Sequence, residues 1–167
     1  MSKVILKPWQ REDAEPLVTI ANNRNVSGNL RDIFPDPYSV MDGLQWISRQ
    51  TEADPKTNFA IMYDGKLAGS VGCIPRDDVY RKSIEIGYFI GEPFWGKGIA
   101  TKAVNLLEGY ITTKFDVIRI YAEVFAHNKA SMRVLQKNGF YLEGIRRKAV
   151  VKNDTVMDDY IWVKLID

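Results

Sequence analysis

The 167-residue chain is expected to fold as a mixed α/β (α+β) domain, a sheet with helices packed on it. Three observations carry that expectation. Apolar residues recur with a strand period in some segments and a helical period in others. The middle of the chain holds three strand-like runs in succession, two of them joined by the tight-turn pair Asp64-Gly65. From residue 83 the order becomes strand–helix–strand–helix–strand. A chain of this length hides roughly 70% of its unfolded surface, enough for one core, so residues 1–167 read as a single domain.

Val4 to Lys7 is the first strand, stopped by Pro8. Asp13 to Asn22 reads as a helix with Leu17, Ile20 and Ala21 on one side. Asn22 to Asn25 and Ser27-Gly28-Asn29 are turn-rich, and Phe34-Pro35-Asp36-Pro37-Tyr38 is a rigid aromatic loop. Asp42 to Thr51 is a second helix, with Leu44, Trp46 and Ile47 as its buried side. Asn58 to Tyr63 and Lys66 to Ile74 form a hairpin. Ser83 to Ile90 alternates cleanly, with Ile84, Ile86, Tyr88 and Ile90 on one face and Glu85, Gly87 and Phe89 on the other. A glycine turn follows, then a helix from Ile99 carrying Ala103, Leu106, Leu107, Tyr110 and Ile111 at helical spacing. Val117 to Phe125 is a strand. Asn128 to Asn138 is a helix closed by Gly139. Phe140 to Val151 and Val156 to Leu165 are the last two strands, turned at Asn153-Asp154.

Composition excludes several functions. Basic and acidic residues number 23 and 21, and no basic block larger than Arg146-Arg147-Lys148 occurs, so no nucleic-acid footprint is expected. A single cysteine, Cys73, and a single histidine, His127, allow neither an intramolecular disulfide nor a Cys/His zinc site. No metal is expected. Cys73 lies in an apolar run and reads as a small buried residue. The start of the chain lacks a signal-peptide core, and no apolar run reaches membrane-spanning length, so a cytoplasmic protein without membrane association is expected.

Chemistry concentrates in two segments. In Phe94-Trp95-Gly96-Lys97-Gly98-Ile99-Ala100, two glycines at a strand-to-helix turn let backbone amides face a phosphate, aided by the helix dipole. The spacing is not that of a P-loop, and Thr101 stands where a dinucleotide fingerprint needs its third glycine. Asn128-Lys129-Ala130-Ser131-Met132-Arg133-Val134-Leu135 opens the later helix, with Asn128 at its N-cap. Each segment alone is compatible with plain structure.

Together they resemble the GNAT superfamily, the GCN5-related N-acetyltransferases. The family's acyl-CoA signature is Gln/Arg-x-x-Gly-x-Gly/Ala. Gly98 and Ala100 match it, and Trp95 replaces the Gln/Arg. Trp95 before the turn, the Asn-x-x-Ser of Asn128 and Ser131, the opening Leu6-Lys7-Pro8-Trp9 and the Phe34 to Tyr38 loop resemble the ribosomal-protein-type (RimJ/RimL-like) branch. The resemblance covers essentially the whole chain.

It implies a largely antiparallel sheet of about six to seven strands with about four helices, splayed between strands 4 and 5. Acetyl-CoA would lie in the splay as cosubstrate. The backbone of Phe89 and Ile90 would bond its pantetheine arm, and the amides of Trp95, Gly96, Lys97, Gly98, Ile99, Ala100 and Thr101 its pyrophosphate. Asn128 would shape the slot, and Lys129 and Arg133 would reach the nucleotide end. The oxyanion would be held by a strand-4 amide near Phe89. Acetyl would pass directly to a primary amine, with Glu85 as general base and Ser131 as donor to the thiolate. Ser131 stands in for the tyrosine that many relatives carry where this chain has Leu135. His127 is read as incidental, and Trp9, Trp46 and Trp162 as core or rim aromatics. The acceptor is left between a protein N-terminal α-amine and a small amine, for which Asp32, Asp36 and Asp42 could supply an acidic pocket. A catalytically silent acyl-CoA-binding module is the alternative, and a homodimer stays open.

Overall fold

The computed structural model describes residues 2–167. Its strands are β1 (Val4–Lys7), β2 (Asn58–Tyr63), β3 (Lys66–Pro75), β4 (Ser83–Ile90), β5 (Arg119–Phe125), β6 (Tyr141–Lys152) and β7 (Thr155–Leu165). Its helices are α1 (Ala14–Ala21), α2 (Arg24–Ser27), α3 (Val40–Glu52), α4 (Ile99–Lys114) and α5 (Lys129–Lys137). They build one mixed sheet in the order β1-β2-β3-β4-β5-β7-β6. Every neighbouring pair is antiparallel except β4 and β5.

The elements follow the expected order, with one addition. The turn-rich stretch after α1 contains the single-turn helix α2, capped by Asn23, whose side chain accepts from the Asn25 amide. The two predicted turns have the left-handed backbone that hairpins with a right-handed twist require: φ is 48° and 80° at Asp64 and Gly65, and 50° and 60° at Asn153 and Asp154. Gly139 ends α5 at φ 84°.

Two cores sit on opposite faces of the sheet. On one, Ile99, Ala103, Val104, Leu107 and Ile111 of α4 bury a stripe against Ile61, Val71, Ile84, Ile86 and Ile120. Leu135 of α5 joins that core fully buried. On the other face, α1 and α3 pack Leu17, Ile20 and Ile47 with Trp9, Tyr38, Ala60 and Leu67. Trp9 stands edge-on to Trp46 at 4.9 Å and donates its indole N–H to Asn58, and Trp162 is buried.

The parallel pairing of β4 with β5 is short. It joins Ser83 to Glu85 with Arg119 to Tyr121, and no further. All of β5 through Phe125 instead pairs with β7, which is inserted between β5 and β6. From Ile86 onward, β4 is therefore paired on its β3 side only.

Candidate active site

The sheet opens where β4 and β5 part, and a cavity of about 1090 Å³ runs through the opening. Its wall includes Glu85, Gly87 and Phe89 from one face of β4, and Tyr88, Asn128 and Ser131 from the other. Of the predicted residues, Glu85, Phe89, Asn128 and Ser131 are thus brought to a common space.

Which backbone groups face the opening follows from register. The Arg76 amide donates to the Ser83 carbonyl at 3.0 Å, and the Gly91 amide to the Ala68 carbonyl at 2.8 Å. Antiparallel partners alternate, so the backbones of Glu85, Gly87 and Phe89 are spent on β3, and those of Ile86, Tyr88 and Ile90 point into the opening. This corrects the expectation for Phe89, whose backbone turns away from the gap. The signal needed was the pairing parity with β3, which strand alternation alone does not set. The Ile90 carbonyl accepts the Trp95 indole N–H at 2.7 Å, which ties the glycine turn to the end of β4.

The turn itself is Gly96 and Gly98 at φ 74° and 73°, a pair of left-handed residues around Lys97. No side chain caps α4, so the amides of its first turn have no side-chain partner. This is a cradle suited to an anion at the positive end of a 16-residue helix. Lys97 lies back over the rings of Tyr63 and Phe94, each at 5.6 Å, and Lys129 over Tyr160 at 5.1 Å. Arg133 is exposed on α5.

Ser131 is the third residue of α5, and its amide donates to the Asn128 side chain at 3.3 Å. Its hydroxyl is 2.7 Å from the phenol of Tyr88. Burial pushes that phenol up to about 12, so it stays protonated at neutral pH. Tyr88 was visible in the sequence only as a core-facing strand residue. That its hydroxyl meets Ser131 depends on how α5 docks.

Glu85 is buried, and both its oxygens are engaged. Arg31 donates to Oε1 at 2.7 Å, and Arg76 binds Oε2. The same Arg31 nitrogen reaches Glu123 at 2.9 Å, Arg146 reaches Glu123 at 2.8 Å, and Arg146 also binds Asp159. Arg76 is further fixed by the Tyr121 hydroxyl at 2.6 Å. A row of alternating charges thus lines the α1/α3 side of the opening, from β4 across β5 to β7. Of this row the sequence pointed only to Glu85.

Of the loop acids, Asp32 and Asp42 line the cavity and Asp36 does not, and each is already engaged. Asp32 pairs with Lys152, Asp36 with Arg24, and Asp42 closes the capping box of α3 with Ser39. His127 bonds Asn29 and touches Met157, away from the cavity wall. Cys73 is buried, and burial pushes its thiol up to about 12, leaving no thiolate at neutral pH. Among the described residues no group of three or more His, Cys, Asp or Glu side chains is placed to hold a metal, and no helix is long and apolar enough to cross a membrane.

Comparison with known proteins agrees with this geometry. The family model described as an acetyltransferase (GNAT) domain matches residues 3–141. Probable N-acetyltransferase YjcK of Bacillus subtilis is 32% identical over 167 residues, covering 94% of this chain and 90% of that protein. Spermidine N(1)-acetyltransferase of Escherichia coli is 29% identical over 142 residues, covering 84% of this chain and 74% of that protein. The structure of Mycobacterium smegmatis RimJ in complex with CoA-disulfide superposes with a TM-score of 0.86 at 24% identity, over 97% of this chain and 81% of that one.

Proposed function

The chain belongs to the GNAT acetyltransferase family, and from that premise we propose that it takes acetyl-CoA as cosubstrate and transfers the acetyl group directly to a primary amine, either a protein N-terminal α-amine or a small-molecule amine. The observation that carries the reading is the break in β4–β5 pairing after Glu85, in front of an uncapped α4. A thioester needs a narrow slot with backbone donors and an anion cradle at one end. The free edge of β4 and the turn from Trp95 to Thr101 fit both needs.

In this reading the amides of Gly96 to Thr101 hold the pyrophosphate, and Tyr88 and Ile90 present backbone groups to the pantetheine arm and the developing oxyanion. Lys97, Lys129 and Arg133 add charge near the nucleotide end. Ser131, ordered by Asn128 and the Tyr88 phenol, donates to the departing thiolate. An amine attacks only when neutral, and at pH 7 about a tenth or less of an α-amine is neutral. Glu85, on the opposite wall, takes that proton. The whole chain, 1–167, acts as one domain.

Thiol release from acetyl-CoA, followed with a panel of peptides, polyamines and aminoglycosides, tests the reading. Glu85→Gln and Ser131→Ala are each expected to lower turnover at least tenfold, about 1.4 kcal/mol in the barrier, with acetyl-CoA affinity retained. Saturable acetyl-CoA binding with no acceptor-dependent turnover across the panel would make the protein a binding module instead.

A further inference from the structure

We propose that the Arg31 guanidinium holds the place of the acceptor's ammonium, and that a primary alkylammonium enters by displacing Arg31 from between Glu85 and Glu123. The inference rests on the acetyltransferase reading for the identity of the site, and on four features of the charge row for its content.

The first is geometry. A single nitrogen, Arg31 Nη2, makes both contacts, at 2.7 Å to Glu85 and 2.9 Å to Glu123. A fork-shaped bidentate pairing would need two nitrogens. One nitrogen donating to two carboxylates is a contact that an ammonium, a compact centre with three donors, can reproduce.

The second is the mismatch in burial. The Arg31 side chain is 55% exposed, whereas those of Glu85 and Glu123 are 7% and 21% exposed. Arg31 also sits on the connection between α2 and α3, beside Ile33 at 91% exposure. A solvated side chain on a loop thus supplies a cation to two carboxylates set in the sheet, and little packing holds it there.

Third, the remaining partners do not leave with it. Arg76 stays on Glu85, fixed by Tyr121, and Arg146 stays on Glu123 and Asp159. With Arg31 swung out, two guanidiniums face three carboxylates. Buried carboxylates without a counter-charge are costly, so the vacated place selects for one positive charge. Fourth, Asp159 is 2% exposed and its Oδ1 has no protein hydrogen-bond partner among the described residues. The row's own side chains therefore leave one carboxylate oxygen unpaired even with Arg31 in place.

The floor beside this place is bare. Gly87 leaves an open place next to Glu85, where an added Cβ would meet nothing within 4 Å, whereas Asn58 covers its partner Gly72. The substituent of the amine would lie over Gly87.

The test is calorimetric titration of n-butylammonium chloride into the full chain and into Arg31→Ala and Arg31→Lys. Arg31→Ala is expected to bind the amine at least tenfold more tightly than the unmodified protein. Arg31→Lys, which restores a cation, is expected to return it to near the original value, and adding Glu123→Gln to Arg31→Ala is expected to abolish the gain. Should Arg31→Ala not fold, Arg31→Gln carries the same expectation. In turnover, the KM for the acceptor falls and that for acetyl-CoA is unchanged. Equal or weaker butylammonium binding by the charge-free variants would overturn the proposal, as would a raised acceptor KM, which would make Arg31 a direct contact of the acceptor. Butylammonium binding does not need turnover, so failure of the acetyltransferase reading shows separately, as thiol release that no amine stimulates.

Discussion

A valine at position 87 should make the protein more stable and less active at once, and the structure supplies both signs. Gly87 lies inside β4, where glycine is normally unfavourable because it orders a flexible backbone and packs nothing. Neither of the usual reasons for a strand glycine applies. Its φ is not left-handed, unlike that of Gly65, Gly96, Gly98 and Gly139, and an added Cβ meets nothing within 4 Å. Its cross-strand partner Gly72 is different: a Cβ there would stand 2.2 Å from the Asn58 amide and 2.8 Å from the Thr57 carbonyl. Gly87→Val therefore recovers strand propensity with its Cβ in open space, about 0.5–1 kcal/mol. For a chain of this size that is a rise in Tm of roughly 1–4 °C. The new methyl groups project from the face that carries Glu85 and Phe89, into the cavity where the acceptor would lie. We expect acceptor kcat/KM to fall about 100-fold, close to 2.7 kcal/mol, with acetyl-CoA affinity within threefold of the original. Gly87→Ala should fall between. Calorimetric unfolding, acetyl-CoA titration and thiol release measure the three quantities. Unchanged acceptor turnover in a stabilised Gly87→Val protein would refute the placement of the acceptor.

The core and the strand register give further expectations. Leu107 is fully buried in the α4 core, so Leu107→Ala should cost about 2–5 kcal/mol in urea unfolding; a loss under 1 kcal/mol would show that the stripe is not packed as described. At Gly69 a Cβ would stand 2.1 Å from the Phe89 carbonyl, so Gly69→Ala should lower stability by roughly 1–3 kcal/mol, and a neutral result would contradict the β3–β4 register. The Tyr88 phenol, raised from 10.0 to about 12, is protonated in both folded and unfolded chains below pH 10. Between about pH 10 and 12 the unfolded chain ionises first, so stability falls as pH rises, by on the order of 2–3 kcal/mol at most. Tyr88→Phe should flatten that fall without removing it, because Tyr38 is raised to about 12 as well; urea midpoints at pH 8 and 11 compare the slopes.

Much of the architecture could be read from local chemistry. Asn58 to Tyr63 and Ser83 to Ile90 match their strands residue for residue, because turn residues and clean alternation bound them on both sides. Single-turn α2 was not legible: its Asn-rich sequence has no apolar stripe, and only the Asn23 cap marks it. The position of β7 between β5 and β6 was not legible either, since two joined strands pair with each other whichever of them meets the rest of the sheet. In the site, Glu85 is marked by its strand face beside the glycine turn, and Ser131 by the resemblance to the acetyltransferase family. Arg31, Arg76, Glu123, Arg146 and Asp159 did not, because each by itself is an ordinary charged residue.

The sequence by itself determined every strand and the longer helices, the glycine turn and the acetyltransferase family, all of which depend on residue types at short spacing. The tertiary structure decided what the opening in the sheet presents. Arg31 meets Glu85 across 54 residues and Glu123 across 92, a contact set by how the α2–α3 connection crosses the sheet. Pairing parity with β3 turned the Phe89 backbone away from the gap and the Tyr88 and Ile90 backbones into it. Both outcomes depend on register and docking, which are properties of strands and helices in pairs, and no single segment carries them.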